Sequence, residues 1–479
     1  MSTLSVNTIN PLSGNNLVLS GSNVIIPGDL TVNGELIGNI SGSVTIGGIL
    51  TVDSSSGVAI FSGSLTVSGG NTFHNIGAMT TGLDCFVASG SNAMAQGLGS
   101  SATGTGSHAE GGTTFANGII SHAEGGYYYY NLNNNAWVSA IGGGTANGVG
   151  SHAEGSSTQT NGIGSHAEGG GTRADGAHSH AEGGYVTSSY DYNTGTLTVN
   201  ISSGGRTDAP GSHAEGNSSR TLSTGWFSHA EGINTRTAGL GSHAEGSNTI
   251  TNGTSSHAEG YQTSASGDYS HAEGDTTISS GTGSHAEGSS TQAIGSYSHA
   301  EGRQSIAFGL QSHAEGQATI ASGSNSHTEG EGTTARGNGS HAEGYNTLAS
   351  GSYSHAEGNT AAALGLYSHA EGNSTVALGD YSHAEGNKTI ASGSYQFVIG
   401  QHNTYGDNTS LMIVGNGPAN NDRKDAFKVR MSGSIVLPTT QSAAPSWTGT
   451  DGEMVFATVT GNHRFYVWMS GAWRSGSLA

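Results

Sequence analysis

Charge is what this 479-residue sequence has least of. Asp, Glu, Lys and Arg together make up 10% of it, where an ordinary soluble domain has about a quarter. Lys and Arg number only 13 against 34 Asp and Glu, giving a net charge of −21. That balance excludes nucleic acid as a partner, because a polyanion would be repelled. A single cysteine, Cys85, excludes an intrachain disulfide and reads as a buried, inert thiol. No apolar run approaches the length of a membrane span, and the opening Met1-Ser2-Thr3-Leu4 lacks the basic-then-apolar pattern of a secretory signal. Membrane insertion and export are therefore not expected. What the chain has in place of charge is glycine, 82 residues of it, with abundant Ser, Thr and Asn. Such a composition fits an all-β, turn-rich, fibrous protein better than a globular enzyme.

One phrase organises the chain. Ser-His-Ala-Glu-Gly first stands whole at residues 107–111 and last at 382–386, with one variant, Ser326-His327-Thr328-Glu329-Gly330, making eighteen copies. From His229 to His383 every step is 14 residues, and earlier the same step is broken by three longer intervals. A short fixed period means a solenoid. The ends keep the register but lose the histidine: Met94 stands 14 residues before His108, and Phe397 stands 14 after His383. Atypical end repeats are what caps look like. About twenty coils at a strand spacing of about 4.8 Å predict a rod on the order of 95 Å long.

Within one coil, small residues recur at every second position, which is strand periodicity. Ser298, Ala300 and Gly302 face one way while His299 and Glu301 face the other. On a second strand Ser305, Ala307 and Gly309 share a face, opposite Ile306 and Phe308. Two strands whose small faces meet give a roll too thin for a large core, so its outer side must pack on something else. The phrase also holds the residue types of a hydrolase triad. Neighbouring strand residues point to opposite faces, however, so Ser298 cannot be activated by His299, and no oxyanion hole is evident. Enzymatic activity is not expected.

The closing Gln396-Phe397-Val398-Ile399-Gly400 and the Thr-x-Ala-x-Gly half-repeats resemble the 14-residue head repeats of YadA-like trimeric adhesins. That resemblance, from Ala93 to about Tyr405, implies a left-handed parallel β-roll and a homotrimer in which three rolls pack about a threefold axis. It places on the axis His108, Glu110, His243, Glu245, His299, Glu301, His313, Glu315, His355, Glu357, His383, Glu385 and their equivalents. The family's axis is apolar, and here it becomes polar. Two readings follow. One is a ladder of His–Glu hydrogen bonds that sets the register of three slippery chains. The other is an occasional divalent metal on the axis, since His and Glu are ligands for zinc, iron or nickel. No other cofactor is expected. Tyr297, Tyr353, Tyr367, Tyr381 and Tyr395 share strand parity with the histidines and are expected to cover the seam between subunits, with Ile306, Ile320, Leu348, Leu364, Val376 and Leu378.

Three regions result: a β shaft over 1–92, the roll over 93–404 and a tip over 405–479. The first contains short runs such as Leu30-Thr31-Val32-Asn33 and Leu50-Thr51-Val52-Asp53, which resemble the intertwined β-prism shafts of bacteriophage tail fibres and imply attachment to other virion proteins. Hairpins are expected near 126–143 and 184–205, and a bend at Trp226-Phe227. Tyr128, Tyr130, Trp137, Tyr190, Tyr192, Trp226 and Phe227 are then candidates for contacting a host glycan or protein, with subunit locking as the alternative. In the tip, Tyr466, Trp468 and Trp473 either line a receptor groove or form the tip's own core. The reading is an all-β homotrimeric virion fibre, made in the host cytoplasm without a signal and attaching by multivalent binding. A cellular trimeric adhesin, a purely structural decoration and a polysaccharide depolymerase are the alternatives.

Overall fold

The structure is a computed structural model that describes residues 23–26, 30–33, 43–46, 50–53, 79–81 and 86–87 and, with short breaks, 92–477. Cys85, Tyr192 and Trp447 lie outside the described residues, as does the run at 65–68. The chain divides into two compact units, Met1–His74 and Asn75–Ala479. In the first, Asn23–Ile26 pairs in parallel with Ser43–Ile46, and Leu30–Asn33 with Leu50–Asp53. Each short run therefore pairs with the next copy of itself in the same chain.

The second unit is a two-sheet β-solenoid of about 21 turns with a 14-residue repeat, and no helix occurs among the described residues. One parallel sheet collects the first strand of every coil, in which identical residues pair, as His299 with His313 and Ala300 with Ala314. The other collects the second strands, as Ile306 with Ile320 and Ala307 with Ala321. The small faces do meet. Ala300, Ala307 and Ser305 are fully buried, and the core is a set of stacked Ala, Ser and Thr columns. Methyl-sized side chains bury little apolar area each, so much of the cohesion lies in the backbone bonds between coils. His299 N donates to Ser312 O at 2.9 Å and Phe308 N to Ala321 O at 2.8 Å, and the pattern repeats along the roll.

Each coil turns at two left-handed residues seven apart, such as Tyr297 (φ 57°) and Gln304 (φ 58°). This corrects the parity argument for the tyrosines. They sit in a turn rather than on a strand, because a positive φ breaks the alternation of faces. Tyr353, Tyr367, Tyr381 and Tyr395 are exposed and stack on one another at 5.0–5.1 Å. The serine ahead of each histidine closes the same turn. Ser312 Oγ donates to Gly309 O at 2.8 Å and Ser326 Oγ to Gly323 O at 2.7 Å.

The roll also runs past the expected limits of 93 and 404. Met79–Thr81 pairs in parallel with Met94–Gln96, and Ser410–Asn416 with Phe397–Gln401. These coils carry no histidine and are entered by a 15-residue step, Met79 to Met94 and Phe397 to Met412, so the 14-residue period misses them. Beyond them Asp425–Arg430 pairs antiparallel with Ser410–Asn416. A three-stranded antiparallel sheet follows, Met454–Val459, Asn462–Met469 and Ala472–Ser477.

Gly309 shows how tightly coils stack, since a Cβ there would run into the carbonyl oxygen of Gly323 on the next coil. Gly309→Ala is expected to destabilise the roll by about 1–3 kcal/mol or more, the usual range for overpacking. Denaturant unfolding of the variant checks this, and an unchanged midpoint would contradict such close stacking.

Candidate functional site

The outer face of the first sheet carries the chemistry. Because strands pair in identical register, every histidine lies over the next, and the eighteen rings form one column from His108 to His383. Neighbouring rings are 4.5–4.9 Å apart, and most are within 11° of parallel. The column ends where His383 tilts by 35° from His369 and meets Phe397 edge-on at 5.0 Å. Beside it runs a column of glutamates, two residues further along each strand.

The two columns touch through histidine Nε2. His108 lies 3.6 Å from Glu110, His243 3.7 Å from Glu245, His313 3.6 Å from Glu315 and His355 3.6 Å from Glu357. Some glutamates serve two coils: Glu182 lies 3.7 Å from both His180 and His213. Conversely, His299 lies 3.7 Å from Glu287 and 4.0 Å from Glu301. The rings are half-buried, yet their Nε2 atoms are shut off from solvent and have no hydrogen-bond partner in the chain. The spacing is thus too long for most of the direct hydrogen bonds expected from the sequence. Glu385, at the end of the column, is exposed.

The electrostatics follow from stacking. Burial and the neighbouring imidazoles lower the pKa of His108, His243, His299, His313 and His355, which favours their neutral form. Three neighbouring pairs of carboxylates are pushed apart in acidity. Glu301 is pushed up to about 7, first by its hydrogen bond with Glu287 and then by burial, while the same hydrogen bond holds Glu287 below the usual carboxylate range. Glu182 and Glu343 are likewise raised to about 7 through Glu168 and Glu329. Under this face the serine hydroxyls are buried on the opposite side, and most donate to glycine carbonyls, as Ser312 to Gly309, although Ser298 Oγ has no partner, so serine and histidine of one phrase do not meet.

The aromatic candidates divide. Trp226 and Phe227 are exposed, and Trp226 Nε1 donates to Ser223 O at 3.1 Å in the bend of their own turn. Tyr128, Tyr130 and Trp137 lie on the antiparallel hairpin Tyr127–Asn131 with Ala136–Ile141, and Tyr190 lies on Val186–Asp191 with Thr196–Ile201. For Tyr466, a candidate for either a receptor groove or the tip's own core, the structure favours the core. Tyr466 is 6% exposed and belongs to the small sheet's own core, because alternate residues of a central strand face inward. Trp468 and Trp473 meet edge to face at 5.4 Å and close over Gly449.

A second column went unread in the sequence. Arg173, Arg206, Arg220 and Arg236 are in register on the second sheet. Arg206 Nε lies 2.8 Å from Asp208, and Arg220 Nη2 lies 2.6 Å from the same carboxylate. The signal was present, since these arginines are spaced by the same lengthened intervals as the histidines.

Compared with known families, segments 88–112, 286–312, 314–340, 342–368 and 370–395 match the YadA head domain repeat. These segments of the chain are thus similar to a YadA-like trimeric adhesin-type repeat. No curated protein matches the chain.

Acid should loosen the roll. Ten histidines have lowered values in the fold. For each, the unfolded chain takes up a proton first, so stability is full above the ordinary value of 6.5 and falls as pH drops through it. Glu182, Glu301 and Glu343, raised to about 7, act in the opposite sense but are fewer. In a chelator-containing buffer the melting temperature is expected to fall between pH 7.5 and 5.5, by about 2–4 °C for each kcal/mol lost. A melting temperature that stays level or rises would mean the histidines are already charged in the fold.

Proposed function

We propose that the chain is a homotrimeric fibre protein of a bacteriophage virion that attaches to the host surface by multivalent binding and has no enzymatic activity. The observation that carries this reading is the His–Glu face. It is unbroken over eighteen coils and lined by shielded, unpartnered nitrogens, and the resemblance to YadA-like head rolls implies that this is the side facing the other copies. A single thin roll with an alanine core gains from burying that face against two others. Three copies of each weak contact site then raise avidity by making later contacts intramolecular.

Contact with the host falls to the exposed Trp226–Phe227 bend and the two hairpins that leave the roll. Tyr466 is buried and Trp468 and Trp473 pack on each other, so these three support this reading less. The N-terminal unit, with its short strands that pair copy to copy, is assigned to attachment to other virion proteins. A cellular trimeric adhesin uses the same roll, and the family match supports it equally.

Two measurements test the reading. The intact chain should have a solution mass near three times 47.9 kDa, and a monomer would overturn it. Immunogold labelling with antibody to the chain should decorate phage particles, whereas gold on bacterial cell surfaces alone would favour the cellular adhesin. The double variant Trp226→Ala with Phe227→Ala should lower binding of labelled protein to susceptible cells at least about tenfold while leaving the mass unchanged.

A further inference from the structure

Most of the Nε2–carboxylate spacings do not suit a direct hydrogen bond, His285–Glu273 at 3.3 Å and His152–Glu124 at 3.4 Å coming nearest to one. N–H···O bonds cluster at 2.9–3.0 Å, whereas His180 Nε2 lies 3.8 Å from Glu168 and 3.7 Å from Glu182, and His299 Nε2 lies 3.7 Å from Glu287 and 4.0 Å from Glu301. A water between them would need two hydrogen bonds and more room. A cation is different. Zinc binds imidazole nitrogen at about 2.0–2.1 Å and carboxylate oxygen at about 2.0–2.2 Å, so at a tetrahedral angle the two ligand atoms stand about 3.4 Å apart. Where a histidine has a carboxylate in reach, the separation runs from 3.3 Å at His285–Glu273 to 4.0 Å at His299–Glu301, a range that brackets that value.

Three further observations agree. The Nε2 atoms are shielded and lack a partner, so each offers a free lone pair once its proton sits on Nδ1. Groups of three, such as His180, Glu182 and His213, bring one carboxylate and two imidazoles within 4.8 Å of one another, and a dozen further groups are of this size; at His180 and His299 a single Nε2 has two glutamates within 4.0 Å. The trough beside Glu273, Glu287 and Glu301 is floored by Gly274, Gly288, Gly302 and Gly316, leaving its carboxylates unobstructed.

We propose that the His–Glu column is a one-dimensional binding site for divalent cations of the zinc class, each held by one histidine Nε2 and the glutamates of its own and the preceding coil, with water in the remaining positions. Mixed imidazole and carboxylate ligation selects zinc-class ions over magnesium, which prefers oxygen ligands and keeps its waters. Two parallel rings 4.8 Å apart cannot both aim a lone pair at one ion, so each ion takes a single imidazole. Because a glutamate such as Glu182 is shared between two coils and neighbouring dications repel, filling reaches about every second coil. The ligands all come from one chain, on the face that the proposed trimer would bury, so the zinc count and the solution mass are read separately.

The test uses the full chain, free of any affinity tag, stripped with chelator and desalted. Zinc chloride is titrated at pH 7.5 by calorimetry, and bound metal is measured by mass spectrometry after gel filtration. The expected result is several zinc ions per chain, rising to about half the number of histidine rungs and unaffected by millimolar magnesium. The triple variant Glu287→Gln, Glu301→Gln, Glu315→Gln should bind one or two fewer at unchanged solution mass. Fewer than one zinc per chain at ten micromolar free metal would overturn the proposal. So would an unchanged count in the triple variant, which would mean adventitious binding to imidazole alone. Should that variant not fold, His299→Asn with His313→Asn serves in its place, and the count on the unaltered chain decides by itself.

Discussion

The close approach of one coil's backbone to the next is the constraint on which the rest of the structure depends. Two glycines per coil, such as Gly302 and Gly309, lie where a Cβ would strike the carbonyl of the coil above. Gly302 also has a φ of 92°, which disfavours any side chain. With coils stacked at strand spacing, whatever occupies one position of the repeat must lie over its own copy. Inside the histidine-bearing coils, where two sheets nearly touch, the core is filled mainly by Ala, Ser and Thr, and larger side chains such as Gln396, Val398 and Ile413 enter at its C-terminal end. Outside, the same translation converts a single histidine into a continuous stack of rings and a single glutamate into a column of carboxylates. Lowered histidine values, raised glutamate values and shielded Nε2 atoms are consequences of that one spacing.

This explains why so much of the fold was legible and why particular parts were not. A residue such as Ala300 announces its inward face because it recurs at every turn beside Ser298, and His299 announces the opposite face for the same reason. Periodicity reports translation directly. It says nothing about local backbone handedness, so Tyr297 was placed on a strand although its positive φ puts it in a turn. Nor does it see coils that keep the fold but change the step, and the 15-residue entries to Met94 and Met412 hid the outermost turns. At the candidate site the columns were legible, but the distance between them was not. Strand parity puts histidine and glutamate on one face without fixing whether their side chains meet at hydrogen-bond length or leave a gap. Tyr466 shows the remaining limit: an aromatic residue in a short meander reads the same whether it faces a ligand or its own sheet.

A column of identical rungs has a weakness that bears on how copies would align. If three rolls packed along their His–Glu faces, sliding one copy by a single coil would restore every rung except one at the end. The ladder that was expected to set register therefore cannot do so by itself, because its energy is nearly the same at neighbouring registers. What breaks the degeneracy is whatever fails to repeat. Met94 and Phe397 replace histidine at the two ends of the column, so a slip would set an apolar cap against a polar rung. The hairpins that leave the roll after Gly126 and Gly184 occur once each. The Arg173–Arg236 column with Asp175 and Asp208 spans only part of the roll. In such an assembly the repeats would supply affinity and the irregularities alignment. The same division suits a cation column, where any rung can be filled and no single rung is decisive. It also accounts for why the irregular segments are concentrated in the first half of the roll, upstream of His229, while the later coils keep their period without interruption up to His383.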